Sequence, residues 1–218
     1  MKTILSTKKL EKTAKQKLSD ADFNVIEEKF IRTKRIDFQI ESVSEFIIFT
    51  SKNSVKSVLK NKIASQVKEK KIVCVGQKTK KFLEKNNYSV QETADYASDL
   101  GSIIIEKYKN NSFTFFSGNI RRNTLPDLLN KNNIKWNEVV VYETSLNPKK
   151  VTSKIDGILF FSPSAVESYL TKNKLENQTC FCIGTTTAKA LEHKTNNIII
   201  APQPSVENVI KEVLKYYK

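Results

Sequence analysis

One strand–loop–helix cassette occurs twice in this chain, and no other feature limits the fold as tightly. The first copy reads IIFTSKNSV over residues 47–55 and IVCVGQKTKKFL over 72–83. The second reads ILFFSPSAV over 158–166 and CFCIGTTTAKAL over 180–191. Ser51 and Ser162 are 111 residues apart, and Gly76 and Gly184 are 108 apart. A period of that length is too long for a solenoid and suits a domain duplicated within one chain. Each cassette ends a buried strand in small polar residues and then starts a helix. Hydroxyls and free backbone N–H groups gather there, and anions bind such places.

The rest of the chain extends the same alternation. Apolar strand-like runs fall at 3–6, 23–26, 46–50, 72–75, 113–116, 138–142, 157–161, 180–183 and 197–200. Helical patterns fall near 10–18, 52–60, 77–85, 98–108, 121–130, 164–171, 185–193 and 205–217. Strands that are continuously apolar, rather than alternating, predict parallel sheets covered on both faces. The fold class expected is α/β, with two parallel-sheet domains of flavodoxin-like or Rossmann-like type. Two polar stretches, 27–43 and 143–150, interrupt the pattern and flank the first cassette. They predict a discontinuous domain of 1–30 plus 148–218, a second domain of 36–142, and a linker of 31–35 and 143–147.

With 218 residues the chain can bury one large core or two small ones. It has no apolar run of about 18 residues, so no membrane-spanning helix is expected. The start, MKTILSTKKLEK, lacks the pattern of a signal peptide, so a cytoplasmic protein is expected. Cys74, Cys180 and Cys182 lie inside strand-like runs, where small buried thiols are common. With a single histidine, His193, the ligand types and spacings of a metal site are missing. The formal net charge of +14 points either to a solvated lysine surface or to an anionic partner. The lysines are scattered over most of the helical segments rather than gathered in one block, which argues against nucleic acid.

Open parallel sheets bind ligands outside the carboxyl ends of their strands. Ser51 and Ser162 stand there as N-cap candidates, and Pro163 suits the first helical turn. Gly76 and Gly184 precede helices carrying Thr79 and Thr185 to Thr187. A third junction, Ser117-Gly118-Asn119, leads into Arg121 and Arg122, two of only four arginines. These arginines suit either ligand carboxylates or protein acids. Walker, dinucleotide and nucleophile-elbow motifs are absent. Catalysis would therefore use hydroxyls, backbone amides, tyrosine or carboxylates.

Read in order, FTSKNSV, VGQKTKKFL, SGNIRRNTLPDLL, VVVYET, FFSPSAVESYL, IGTTTAKAL and APQPSVENVI resemble the uroporphyrinogen-III synthase family over nearly the whole chain. The N-terminal strand departs from the pattern. It runs into Ser6-Thr7-Lys8 where Thr-Arg-Pro is common in the family. The resemblance implies two α/β domains joined by a two-stranded linker, with the substrate in a cleft between them. It implies a lyase that closes linear hydroxymethylbilane to uroporphyrinogen III, inverting the last pyrrole ring and losing water. The implied chemistry passes through an azafulvene cation and a spiro intermediate, with neither a metal nor an organic cofactor, in a monomeric protein. By motif position, Tyr142 is the candidate proton donor or leaving-group positioner, and Thr79 and Thr187 match the family's threonines after its two glycine turns. Ser51, Gly76, Gly118, Asn119, Arg122, Ser162, Ser164, Gly184 and Thr186 are the expected substrate-binding residues. The rival reading is a non-catalytic, two-domain protein that binds anions or tetrapyrroles without changing them.

Overall fold

The computed structural model describes residues 1–218. In chain order the elements are β1 (Lys2–Ser6), α1 (Lys12–Ser19), β2 (Phe23–Glu27), β3 (Ile31–Arg35), β4 (Phe46–Phe49), α2 (Lys52–Val58), α3 (Ala64–Lys68), β5 (Lys71–Val75), α4 (Gln77–Lys85) and β6 (Val90–Ala94). There follow α5 (Ala97–Lys107), β7 (Ser112–Gly118), α6 (Thr124–Lys131), β8 (Lys135–Leu146), β9 (Gly157–Phe160), α7 (Pro163–Leu170), β10 (Thr179–Cys182), α8 (Thr185–Lys189), β11 (Ile198–Ile200) and α9 (Val206–Tyr216). The chain divides into two compact units: Met1–Arg32 with Ser145–Lys218, and Thr33–Thr144.

The first unit holds a five-stranded sheet in the order β11-β10-β9-β1-β2. All four strand pairings in it are parallel. Counted along the unit's own chain, this is the 2-1-3-4-5 order of flavodoxin-like sheets. The second unit holds a six-stranded sheet, β3-β8-β7-β4-β5-β6. Without β3 it has the order 3-2-1-4-5, the first five strands of a Rossmann sheet. β3 lies beside β8, and the flanking bonds run antiparallel: Ile36 N–H donates to Val141, and Asn147 N–H to Phe30.

Both faces of each sheet are buried, which is why the strands read as unbroken apolar runs. In β4, Ile47 and Phe49 join one core cluster while Phe46 and Ile48 join the opposite one. In the first unit, Ile158, Phe160, Cys180 and Cys182 face one side, and Ile4, Leu159 and Phe181 the other. α9 covers the latter face with Val206, Val209, Ile210 and Val213, an i, i+3, i+4, i+7 stripe. Its N-cap Ser205 accepts the Asn208 N–H.

Three elements escape the sequence pattern. β6 reads VQETA, with one buried residue, because it lies at the sheet edge. β3 reads IRTKR and is mostly exposed, again at an edge. α3 is a single five-residue turn. The helix expected from 121 begins at Thr124, so Arg121 and Arg122 lie in the loop before it.

Candidate active site

The register of the two sheets aligns the cassettes. Phe49 pairs with Cys74, and Phe160 with Cys182. Two residues further along, Ser51 stands level with Gly76, and Ser162 with Gly184. The duplicated residues thus occupy matching positions at matching strand ends. In each unit the serine ends the strand that borders the point where the sheet order reverses, β4 beside β7 and β9 beside β1, and the glycine stands one strand away; open α/β sheets form a ligand crevice at that point. In the second unit the next strand across is β7, where Phe49 pairs with Phe116, and so Ser51 is level with Gly118. In the first unit the corresponding neighbour is β1, ending in Ser6 and Thr7.

The serines act as caps. Ser51 accepts the Asn53 N–H at 3.1 Å, and Ser162 accepts the Ala165 N–H at 3.2 Å. Ser164 lies 3.1 Å from the Ser162 hydroxyl, so the two form a linked pair. Pro163 occupies the first turn of α7. Gly76 has φ +86, a backbone region that favours glycine, and it begins α4. Gly184 is extended, and open space lies above both glycines. Thr79 and Thr187 are buried one turn into their helices, while Thr186 is partly exposed. Ser6 and Thr7 are turned inward: their hydroxyls donate to Lys8 O and Leu159 O, both at 2.6 Å. That strand end therefore braces the sheet.

Gly118, Asn119 and Tyr142 form one assembly. A Cβ on Gly118 would lie 2.7 Å from the Tyr142 phenol oxygen and closer still to two ring carbons. The tyrosine ring is seated on bare backbone. Asn119 locks the same junction: its side-chain oxygen accepts the Thr144 N–H at 2.8 Å, and its amide donates to Thr144 O at 3.2 Å. Both polar ends of its amide are thus engaged with protein. The half-buried Tyr142 hydroxyl makes no hydrogen bond within the protein. Gly118→Ala is expected to displace the Tyr142 ring at a cost of about 1–3 kcal/mol by overpacking. Urea denaturation would measure the loss, and an unchanged midpoint would show that the ring swings aside freely.

The paired arginines divide their work. Arg121 grips Glu138 in a two-point ion pair, with Nε–Oε1 of 2.7 Å and Nη2–Oε2 of 2.8 Å. Ser117 adds a bond to the same carboxylate at 2.5 Å. Arg121 therefore ties the loop to β8. Arg122 is exposed and forms no ion pair with the protein, which leaves it available to a ligand. Sequence reasoning had no partner for Arg121; the available signal was a lone acid in the apolar run NEVVVY. The Arg121 guanidinium holds the Glu138 carboxyl below its ordinary range, against the opposing effect of burial. A lowered folded-state pKa gives stability that is present above the unfolded value and lost as pH falls through the folded one. Glu138→Gln should thus destabilise by about 1–3 kcal/mol at neutral pH. The gap from the parent should narrow as pH falls below about 4.3. A constant gap in denaturation series across that range would contradict this reading.

Cys180 and Cys182 are buried, and burial pushes both thiols up to about 12. They are packing residues, as is Cys74, whose thiol burial also raises. His193 is exposed in a left-handed turn after α8. No group of three or more His, Cys, Asp or Glu side chains is placed to hold a metal ion. No helix is long and apolar enough to cross a membrane.

Two largely parallel sheets with matched polar strand ends define a duplicated α/β protein. A family model described as uroporphyrinogen-III synthase HemD matches residues 12–211. The chain belongs to the uroporphyrinogen-III synthase family, and it is a lyase acting on a small molecule. It is 28% identical over 195 residues to the uroporphyrinogen-III synthase of Chlorobaculum parvum, covering 78% of this chain and 79% of that one. It is 27% identical over 196 residues to the porphyrin biosynthesis protein HemD of Ruminiclostridium josui, covering 80% of this chain and 39% of that longer protein. Among solved structures, uroporphyrinogen-III synthetase from Helicobacter pylori shares the fold, with a TM-score of 0.77 at 21% identity over 99% of this chain and 100% of that one. A mutant uroporphyrinogen III synthase from Thermus thermophilus shares it at 0.65 and 10% identity, with both chains fully covered.

Proposed function

We propose that this chain cyclises hydroxymethylbilane to uroporphyrinogen III, with inversion of the last ring and loss of water. The observation that carries the reading is the matched register of Ser51–Gly76 and Ser162–Gly184, with each serine bordering its sheet's switch point. The substrate bears an acetate and a propionate on each pyrrole. Capped hydroxyls, helix-end amides and Arg122 suit such carboxylates. Ser51, Ser162, Ser164, Thr186 and the backbone at Gly76, Gly118 and Gly184 are the binding groups in this reading. Thr79 and Thr187 stand behind them in the first helical turns.

The chemical step breaks the carbon–oxygen bond of the hydroxymethyl group. A proton must reach the departing oxygen so that it leaves as water; the resulting cation is attacked by the substituted carbon of the last ring. The spiro intermediate then breaks that carbon's original bond to the preceding methylene, and the cation so released closes on the ring's free carbon, which loses a proton. In free solution closure occurs at the unsubstituted carbon instead. The protein's main contribution is therefore orientation. In this reading the Tyr142 hydroxyl, which has no hydrogen-bond partner within the protein, donates a hydrogen bond to the leaving oxygen. A phenol is a weak acid, so positioning is as much its role as proton transfer. The buried, unpaired thiols suit a reducing compartment, and we place the protein in the cytoplasm, acting as a monomer. The ratio of product isomers separates this reading from that of a passive tetrapyrrole binder, which would leave the ratio unchanged.

A further inference from the structure

Beside Tyr142 a groove of 630 Å³ opens in the second unit, and its lining is chemically one-sided. Arg35, Lys56 and Lys60 line it together with Phe82 and Tyr142, and no aspartate or glutamate does. Arg35 forms an ion pair with Asp37 at 3.3 Å, and the Asp37 side chain is almost fully exposed. Phe82 is half-buried, and two ammonium groups stand over its ring: Lys52 at 4.8 Å and Lys56 at 6.0 Å from the centroid. Neither lysine forms an ion pair with the protein. Arg35 is steadied from behind, donating to Lys60 O at 3.3 Å.

Like charges gathered with only one exposed acid beside them raise the local potential and draw an anion into the groove. An aromatic wall adds preference for a flat ring over a simple ion. We infer that this groove seats one pyrrole ring of the substrate, with the ring against Phe82 and its two carboxylates on Lys56 and Arg35. The inference rests on the function proposed above and assigns to Lys56 and Arg35 a positioning role. They anchor the ring by its carboxylates and so fix where the neighbouring hydroxymethyl carbon lies relative to Tyr142. Lys56 stands five residues after Ser51, where the second cassette has Glu167 five residues after Ser162, so this lysine has no counterpart in the other copy.

The test uses the full chain and uroporphyrin III as the probe, with binding followed by fluorescence quenching. Lys56→Gln and Arg35→Gln are each expected to weaken binding about tenfold, the loss of one charge-assisted contact. Lys56→Arg should restore most of it. In turnover, Lys56→Gln should raise KM and increase the share of uninverted product, whereas a merely structural lysine would leave the isomer share unmoved. The double change Lys172→Gln/Lys174→Gln, on the other unit, should leave binding unaltered. Equal weakening by that control would reduce the effect to overall charge and overturn the inference. Unchanged binding and isomer share in Lys56→Gln and Arg35→Gln, with an active parent, would overturn it while leaving the proposed function standing. A parent that binds the probe but makes no inverted isomer would overturn the proposed function instead.

Discussion

Tyr142→Phe is expected to slow formation of the inverted isomer by about a hundredfold, the lower range for loss of a positioned proton donor. KM should change little, because the ring stays seated on Gly118 and only the oxygen is removed. The thermal midpoint should not move, since that hydroxyl makes no hydrogen bond within the protein. Steady-state rates on freshly prepared hydroxymethylbilane would check this. A variant with the parent's rate would remove Tyr142 from the chemistry and leave it as a packing residue over Gly118. Loss of stability along with activity would assign its effect to the fold.

The largest effect on stability is expected at Phe116. Its ring is fully buried, stacked on Phe49 at 5.6 Å and tilted against Phe38 at 5.9 Å. Tyr142 packs against the same cluster. Phe116→Ala should cost about 3–5 kcal/mol, the transfer free energy plus the cavity left behind. Neighbours on a central strand have little room to collapse into that cavity. Because Phe116 lies two residues before Gly118, activity should fall with stability. Guanidinium denaturation would measure the cost; a loss below about 1 kcal/mol would mean that the cluster repacks.

The fold was legible where burial dictated residue type. Central strands such as FIIF and TCFC carry apolar residues on both faces, so β4, β9 and β10 stand out. Edge strands obey no such constraint. Ladder bonds hold β6 and β3 with polar side chains facing water, so neither left an apolar run. The switch-point residues were legible because capping is local: Ser51 and Ser162 bond within their own first turns. Contacts between distant segments left weaker traces. Arg121 meets Glu138 from across a strand pair, and Tyr142 meets Gly118 only because β7 and β8 lie side by side. The grouping of Arg35, Lys56 and Phe82 needs three separate elements to converge. In a chain rich in lysine, no single one of those residues draws notice.

The proposed activity stands or falls on the isomer ratio. Purified protein, at one hundredth of the substrate concentration, would be mixed with hydroxymethylbilane, and the products oxidised to porphyrins and separated. The account predicts type III uroporphyrin in large molar excess over the protein, well beyond what buffer gives. Type I product alone, at the spontaneous rate, would contradict it.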